Sequence, residues 1–456
     1  MAEALSAGGD FWKADEPDHR VRGRFAAELG EKPEVTLTDN LVPDPRVSVR
    51  HDPSRNVTTI SHSAEAKRSV ASFRAITVHG QLDSGEAVTI IGSQNYGGSG
   101  SRPRYRGTAA VVGAQVPNDQ LYSSVRFRLD NPYWLAHLDD GDSSTVDDDA
   151  STLTVEASDD GNWLVYKSST PITLRQMEIR VVSGCLALLQ LAIYPDPDEG
   201  RVARETQVRI NSASPWLQVY GAAFCAEPAG PVHEPLLLRN ELTVERFSKW
   251  VALHSRLDGL SWVVARPSSG SVQMSVLAFA PLIEGFHRRL PGYEQAKFPG
   301  VAKCALKRVL QAARKAAAAQ AAVEGLDPSR VEQAADFYRD VSFLQRADAI
   351  VAEVTSVIPE VAEFTPGLPR RITKARNALA HHLTKDDDIP IETRALNWLV
   401  VANTTAWLLR ILLLLRVGVE PEVLRERVLQ FGRFRFFLAN TEQHVRELGW
   451  ELPPSE

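Results

Sequence analysis

Apolar and polar positions follow a short β-like rhythm in the first half of the chain and recur at helical spacing in the second. Ala75–Val78, Ala87–Ile91, Ala109–Val112 and Val125–Leu129 are brief runs rich in valine, isoleucine and phenylalanine. Leu153–Val155, Trp163–Tyr166, Met177–Val182 and Val208–Ile210 continue the series. Clusters of Gly, Pro, Asp and Ser separate the runs, so the chain up to about Gly221 is predicted to form an antiparallel sandwich-like or barrel-like domain. No fixed-period repeat is visible, which argues against a propeller or solenoid.

From Leu242 the period changes. Val244, Phe247 and Val251 form one apolar face, and Phe279, Leu282, Ile283 and Phe286 form another. Val301–Glu324 is rich in strong helix formers and ends at Gly325-Leu326-Asp327-Pro328. Further helices are predicted at Glu332–Val354, near Ile372–Leu383, at Thr393–Arg416 and at Glu422–Glu447, with Ser261–Arg266 readable as a strand or a buried connection. The expected fold class is α+β and multidomain: a β-rich half at 1–240 and an all-α helical bundle at 241–456. Leu396–Val417 has the length of a membrane span, but Asn397, Asn403 and Arg410 fall inside it, and a charge there is costly in lipid. It reads as a buried helix of a cytoplasmic protein with no membrane partner.

Composition narrows the class. The 456 residues suit two to three domains, and a hydrophobic share of 44% with 24% charged residues is that of a folded soluble chain. A net charge of −6 argues against coating nucleic acid by bulk charge and leaves room for a local basic site. Cys185, Cys225 and Cys304 are too few and too far apart for a disulfide framework or a four-thiolate zinc site. Met1–Asp10 lacks the basic and apolar regions of a signal peptide.

Several local patches carry chemistry of a weaker kind. Tyr96–Gly107 mixes glycine, arginine and tyrosine; a long hairpin loop explains it, with phosphate contact and base stacking as the alternative. Asp139-Asp140-Gly141-Asp142 and Asp147-Asp148-Asp149 do not match a calcium loop and read as a solvated acidic loop. His382 and Asp386 share a helical spacing with metal pairs, but two ligands do not make a site. Signatures for a phosphate loop, a zinc helix and a nucleophile elbow are missing.

The informative stretch is Pro369–His382, which concentrates Arg370, Arg371, Lys374 and Arg376 beside His381 and His382, with Lys385 just beyond. Phosphodiester chemistry needs a cation for the phosphate and a group that moves a proton near neutral pH. Arg376 and His381 are five apart, about 140° around an ideal helix. They converge most readily at a helix end, at a kink, or across a dimer. Trp398, Trp407, Phe431, Phe434, Phe436 and Phe437 have helical spacing and are expected to fill the core or a dimer interface rather than stack on bases.

Arg376-Asn377-Ala378-Leu379-Ala380-His381 resembles the Arg-x4-6-His signature of HEPN domains, including the asparagine after the arginine. Gly9-Asp10-Phe11-Trp12, Glu16-Pro17, Val21-Arg22-Gly23-Arg24-Phe25 and His79–Gly85 resemble the N-terminal domain of ApeA-like HEPN proteins. Leu282–Arg288 resembles a Glu-x-x-His-Arg helix that precedes the signature there.

The resemblance implies a metal-independent, cofactor-free endoribonuclease of bacterial anti-phage defence, acting as a homodimer with a composite active site. It implies an RNA substrate, with transfer RNA as one candidate and the target otherwise open, and a phage-derived trigger as a candidate signal for the N-terminal half. Carried over, Arg376 would hold the scissile phosphate, Asn377 would position it, and His381 would move a proton, with His382 as the alternative. Glu284 and His287 would support the site, and Arg370, Arg371 and Lys374 would grip flanking phosphates. The competing reading is a non-catalytic RNA-binding or dimeric assembly protein that uses the same basic cleft.

Overall fold

The computed structural model describes residues 3–42, 47–52, 57–62, 74–96, 102–129, 135–147, 149–159, 161–193, 203–226, 234–266, 270–334, 340–381 and 389–451. The chain divides into two compact units, Met1–Ser255 and Arg256–Glu456. The class is α+β, with a sheet-rich first half and a helical second half.

The first unit contains β1 (Leu5–Lys13), β2 (Val21–Ala27), β3 (Glu34–Leu37), β4 (Val47–Asp52), β5 (Val57–His62), β6 (Ile76–Leu82), β7 (Ala87–Asn95) and β8 (Arg104–Arg106). It continues with β9 (Ala109–Val112), β10 (Leu121–Leu129), β11 (Ser143–Thr145), β12 (Thr152–Glu156), β13 (Trp163–Thr173), β14 (Ala203–Arg209) and β15 (Leu217–Tyr220). Thirteen of these form one antiparallel sheet, while β4 and β5 pair separately. Because β8 pairs with both β3 and β7, the strands β1-β2-β3-β8-β7-β6 close into a ring. Alternation along each strand sends Phe11, Phe25, Val35, Val78, Val88, Ile90 and Tyr105 inward, each at most 1% exposed. Gly80 lies opposite Phe11, where a Cβ would come within 2.5 Å of the ring, so only glycine fits.

Tyr105 shows why the Tyr96–Gly107 stretch is more than a loop. Its hydroxyl accepts hydrogen bonds from Leu41 N at 3.0 Å and Val42 N at 3.3 Å, and Arg106 on the outer side bonds to Glu34. The segment therefore includes the strand that closes the ring.

Met177–Val182 is not the expected strand. Leu174–Gln176 (α1) runs through a π-helical turn at Met177–Val182 into Ser183–Ile193 (α2). A capping box starts it, with Gln176 N donating to Thr173 Oγ1 and Thr173 N donating to Gln176 Oε1. Met177, Val181 and Val182 are buried at helical spacing, and the strongly apolar α2 continues the element, so packing overrides the β-branched composition. Val244–Arg256 (α3) packs on this helix, with Trp250 Nε1 donating to Gly184 O at 2.6 Å.

The second unit holds α4 (Ser261–Ala265), α5 (Val272–Arg289), α6 (Lys303–Val323), α7 (Pro328–Ala334), α8 (Phe343–Thr355), α9 (Leu368–His381), α10 (Ile391–Arg416), α11 (Pro421–Gln430) and α12 (Gly432–Glu447). The helix predicted at Glu332–Val354 is not continuous. Ser342 starts α8 with its own capping box to Gln345. The helix predicted at Glu422–Glu447 breaks at Phe431, whose backbone is extended and whose ring packs edge-on to Trp407. Ser261–Arg266 resolves as the short α4.

The α10 helix is the spine of the unit and packs against α5, α8, α9 and α12. Trp407 also meets Phe434 and Phe437, whereas Phe436 is 69% exposed and Trp398 is half-buried. Leu174–Ile193 and Ile391–Arg416 are long and apolar enough to cross a membrane, yet 72% of the apolar window of each is buried within the fold.

Candidate active site

Helix α9 carries the residues singled out by the sequence. Gly367, at φ +66°, turns the chain into it, a conformation that favours glycine. Leu368, Ile372, Ala375 and Leu379 recur at helical spacing and are buried. They seat α9 against α5, α8 and α10. The polar residues are thereby turned outward. Arg370, Lys374 and Asn377 are exposed and spaced four and three apart, so they share one face.

Arg371 behaves differently. Its guanidinium lies 3.2 Å from the centroid of Trp450, and its Nε donates to Pro366 O at 2.8 Å. Burial lowers its pKa. It anchors the start of α9 rather than facing open solvent with Arg370 and Lys374.

Arg376 stands where α5, α8 and α9 meet. Its Nη2 is 3.9 Å from Glu284 Oε2 on α5, and its guanidinium lies 4.8 Å from the Phe343 ring on α8. Nη1 donates to Asn377 Oδ1 at 3.3 Å. The Arg376 side chain keeps 31% exposure, so the cation is held from behind and still reaches solvent. Glu284 is fixed in turn by Arg288, which donates to Oε1 from Nε at 3.1 Å and from Nη2 at 2.9 Å. Arg288 also lies 3.7 Å from Asp340.

His287, one turn from Glu284, serves a separate cluster. It is 2% exposed and stacks on Tyr293 with centroids 4.7 Å apart. Arg346 Nη1 lies 3.2 Å from His287 Nδ1 and can only donate, so Nδ1 accepts and the ring proton belongs on Nε2. Burial, then the charges of Arg346 and Arg288, lower the His287 pKa and hold it neutral at neutral pH. Tyr293 bonds to Glu353, which Arg416 also engages at 2.7 Å. Among the described residues no hydrogen bond or ion pair joins Glu284 to His287: the first faces Arg376, the second faces Arg346.

His381 is the last residue of α9, five positions after Arg376. His382, Lys385 and Asp386 lie outside the described residues, and the metal-pair reading of His382 with Asp386 falls there too. The acidic loop is used locally: Asp140 Oδ1 accepts from Ala157 N, Asp142 Oδ2 accepts from Asp139 N, and Asp149 pairs with Arg180 at 2.7 Å. Among the described residues no group of three or more His, Cys, Asp or Glu is placed to hold a metal ion. Phe343, Arg346 and Tyr293 were not singled out by sequence reasoning, because no local motif announces them; Arg288 stands in the sequence only as the last residue of the Glu-x-x-His-Arg resemblance.

Residues 277–423 match the family model described as Apea-like HEPN. The second half of the chain therefore contains an Apea-like HEPN domain. The match begins within α5 and ends within α11, and it includes Glu284, His287, Arg376, Asn377 and His381. HEPN domains are generally ribonucleases and commonly dimeric, which gives this chain a nuclease-like, RNA-related character. No curated protein and no solved structure matches the chain.

Proposed function

We propose that the protein is a metal-independent HEPN endoribonuclease in which Arg376 and His381 act on one RNA phosphodiester. The observation that carries this reading is Arg376, partly exposed and braced by Glu284 and Phe343 inside the matched domain. An arginine held in advance at the place where charge develops stabilises the transition state without reorganising.

In the proposed reaction the ribose 2′-oxygen attacks the adjacent phosphorus while its proton passes to a base. The bond to the 5′-oxygen breaks, and that oxygen takes up a proton. No water is consumed, and the products are a 2′,3′-cyclic phosphate and a 5′-hydroxyl. His381 moves one of these protons, with His382 as the alternative, Arg376 neutralises the phosphorane charge, and Asn377 orients the phosphate. Arg370 and Lys374 grip flanking phosphates from the exposed face of α9. Two copies of the chain form the composite cleft, as HEPN domains commonly do.

The β-rich residues 1–240 form a sensing or regulatory domain for a phage-derived trigger. The helical residues 241–456 form a toxic effector that cuts RNA, transfer RNA among its targets, during abortive infection in the cytoplasm. Incubating the full-length protein with total RNA in EDTA tests the chemistry. Cleavage by the wild type that Arg376→Ala and His381→Ala abolish supports it; equal cleavage by all three, or a strict requirement for a divalent metal, refutes it.

A further inference from the structure

On the closed ring of the first unit, β2 and β3 send Val21, Phe25, Val35 and Leu37 inward. Arg22 and Arg24 face outward, with Thr36 opposite Arg24 and Thr38 just beyond β3. With Arg102 these residues line a cleft of about 410 Å³. Two sequence islands of no evident catalytic use meet at its edge. Arg22, from Val21–Phe25, reaches across β1 to Asp83, from His79–Gly85, at 2.6 Å. Gly8 makes room for that crossing, since a Cβ there would lie 2.5 Å from Asp83 Oδ2 and 3.3 Å from Arg22 Nη2.

The charges in the cleft do not cancel. Arg22 is balanced by Asp83 and lies 3.6 Å from Asp10. Arg24 is steadied by a neutral group, donating from Nε to Ser6 Oγ at 2.9 Å. Glu34, the next acid along the face, is engaged by Arg106 at 3.1 Å and Arg104 at 3.8 Å. Among the described residues neither Arg24 nor Arg102 has an acidic partner.

We propose that this cleft binds a small molecule bearing a diphosphate group. Two guanidinium groups without an acidic partner among the described residues suit the charge of neighbouring phosphates, and the Thr36 hydroxyl supplies a further donor. The volume suits a small ligand. No aromatic side chain is among the lining residues, so recognition rests on phosphate rather than on a stacked base. The site belongs to the first unit, and its test does not depend on RNA cleavage.

Titration calorimetry of the full-length protein with inorganic pyrophosphate at low salt is the direct experiment, with ADP as a second probe. Saturable binding is expected, similar for the two probes, and weakened at least about tenfold by Arg24→Gln and by Arg102→Gln. Arg330→Gln, an exposed arginine outside the cleft, should leave it unchanged. Absence of saturable pyrophosphate binding overturns the proposal, as does binding that survives both cleft substitutions. A short single-stranded RNA that displaces pyrophosphate and binds more tightly also overturns it, by assigning the cleft to a macromolecule.

Discussion

Arg376 and Glu284 face each other across the α9–α5 junction with 3.9 Å between Nη2 and Oε2. At that separation the pair is an ion pair without a hydrogen bond, so Glu284 aims the guanidinium without taking up a donor of Nη2, while Nη1 donates to Asn377 Oδ1. Because both side chains are about a third exposed, the attraction is modest. Glu284→Gln is expected to lower RNA cleavage about threefold to tenfold with little change in melting temperature. Single-turnover rates beside a thermal melt check this, and an unchanged rate would remove Glu284 from the site.

The exposed and anchored arginines of α9 should separate in salt dependence. Arg370→Ala or Lys374→Ala is expected to reduce the slope of log affinity for single-stranded RNA against log salt by about 0.7 each. Arg371→Ala should instead destabilise the fold, because it removes the stack on Trp450 and the bond to Pro366 O. Fluorescence titrations over a range of salt, paired with melting curves, distinguish the two behaviours.

The seating of α9 is a packing matter. Leu379 is 3% exposed, and Leu379→Ala should cost about 2–5 kcal/mol, read by denaturant unfolding. Cleavage should fall with it, since Arg376 is carried on the same helix. Retained stability would show that α9 is not held by this stripe.

His287 gives the helical unit a pH dependence of definite sign. Its folded pKa lies below the unfolded value of about 6.5, so the unfolded chain binds the proton more readily. The stability it contributes is complete above that value and is lost as pH falls through the folded pKa. Arg346 and Arg288, the cations facing it, oppose its protonation, and Tyr293 is kept neutral by burial. His287→Gln should therefore flatten the acid side of a melting-temperature profile relative to wild type. Identical acid limbs would contradict this.

Much of the architecture was legible before the structure. The apolar run of α10, the helix expected near Ile372–Leu383 and most of the short valine-rich strands were each read directly from their residues. The misses arose where tertiary packing outweighs local composition. Met177–Val182 looks like a strand until the Thr173–Gln176 box and the apolar α2 are taken together. Phe431 breaks a helix that its neighbours would continue, and Ser342 restarts one that seemed unbroken. Within the candidate site, Arg376 and Asn377 announce themselves through their resemblance to the Arg-x4-6-His signature. Phe343 and Arg346 do not, because their roles come from the approach of α8 to α9 and α5 in space.

The central claim is that Arg376 and His381 transesterify RNA. Mass spectrometry of the ends left on a defined RNA in EDTA tests it most directly. The predicted wild-type products carry a 2′,3′-cyclic phosphate and a 5′-hydroxyl, with Arg376→Ala slowing their formation by about 10²–10³. A 5′-phosphate with a free 3′-hydroxyl, or the same yield from Arg376→Ala, would contradict it.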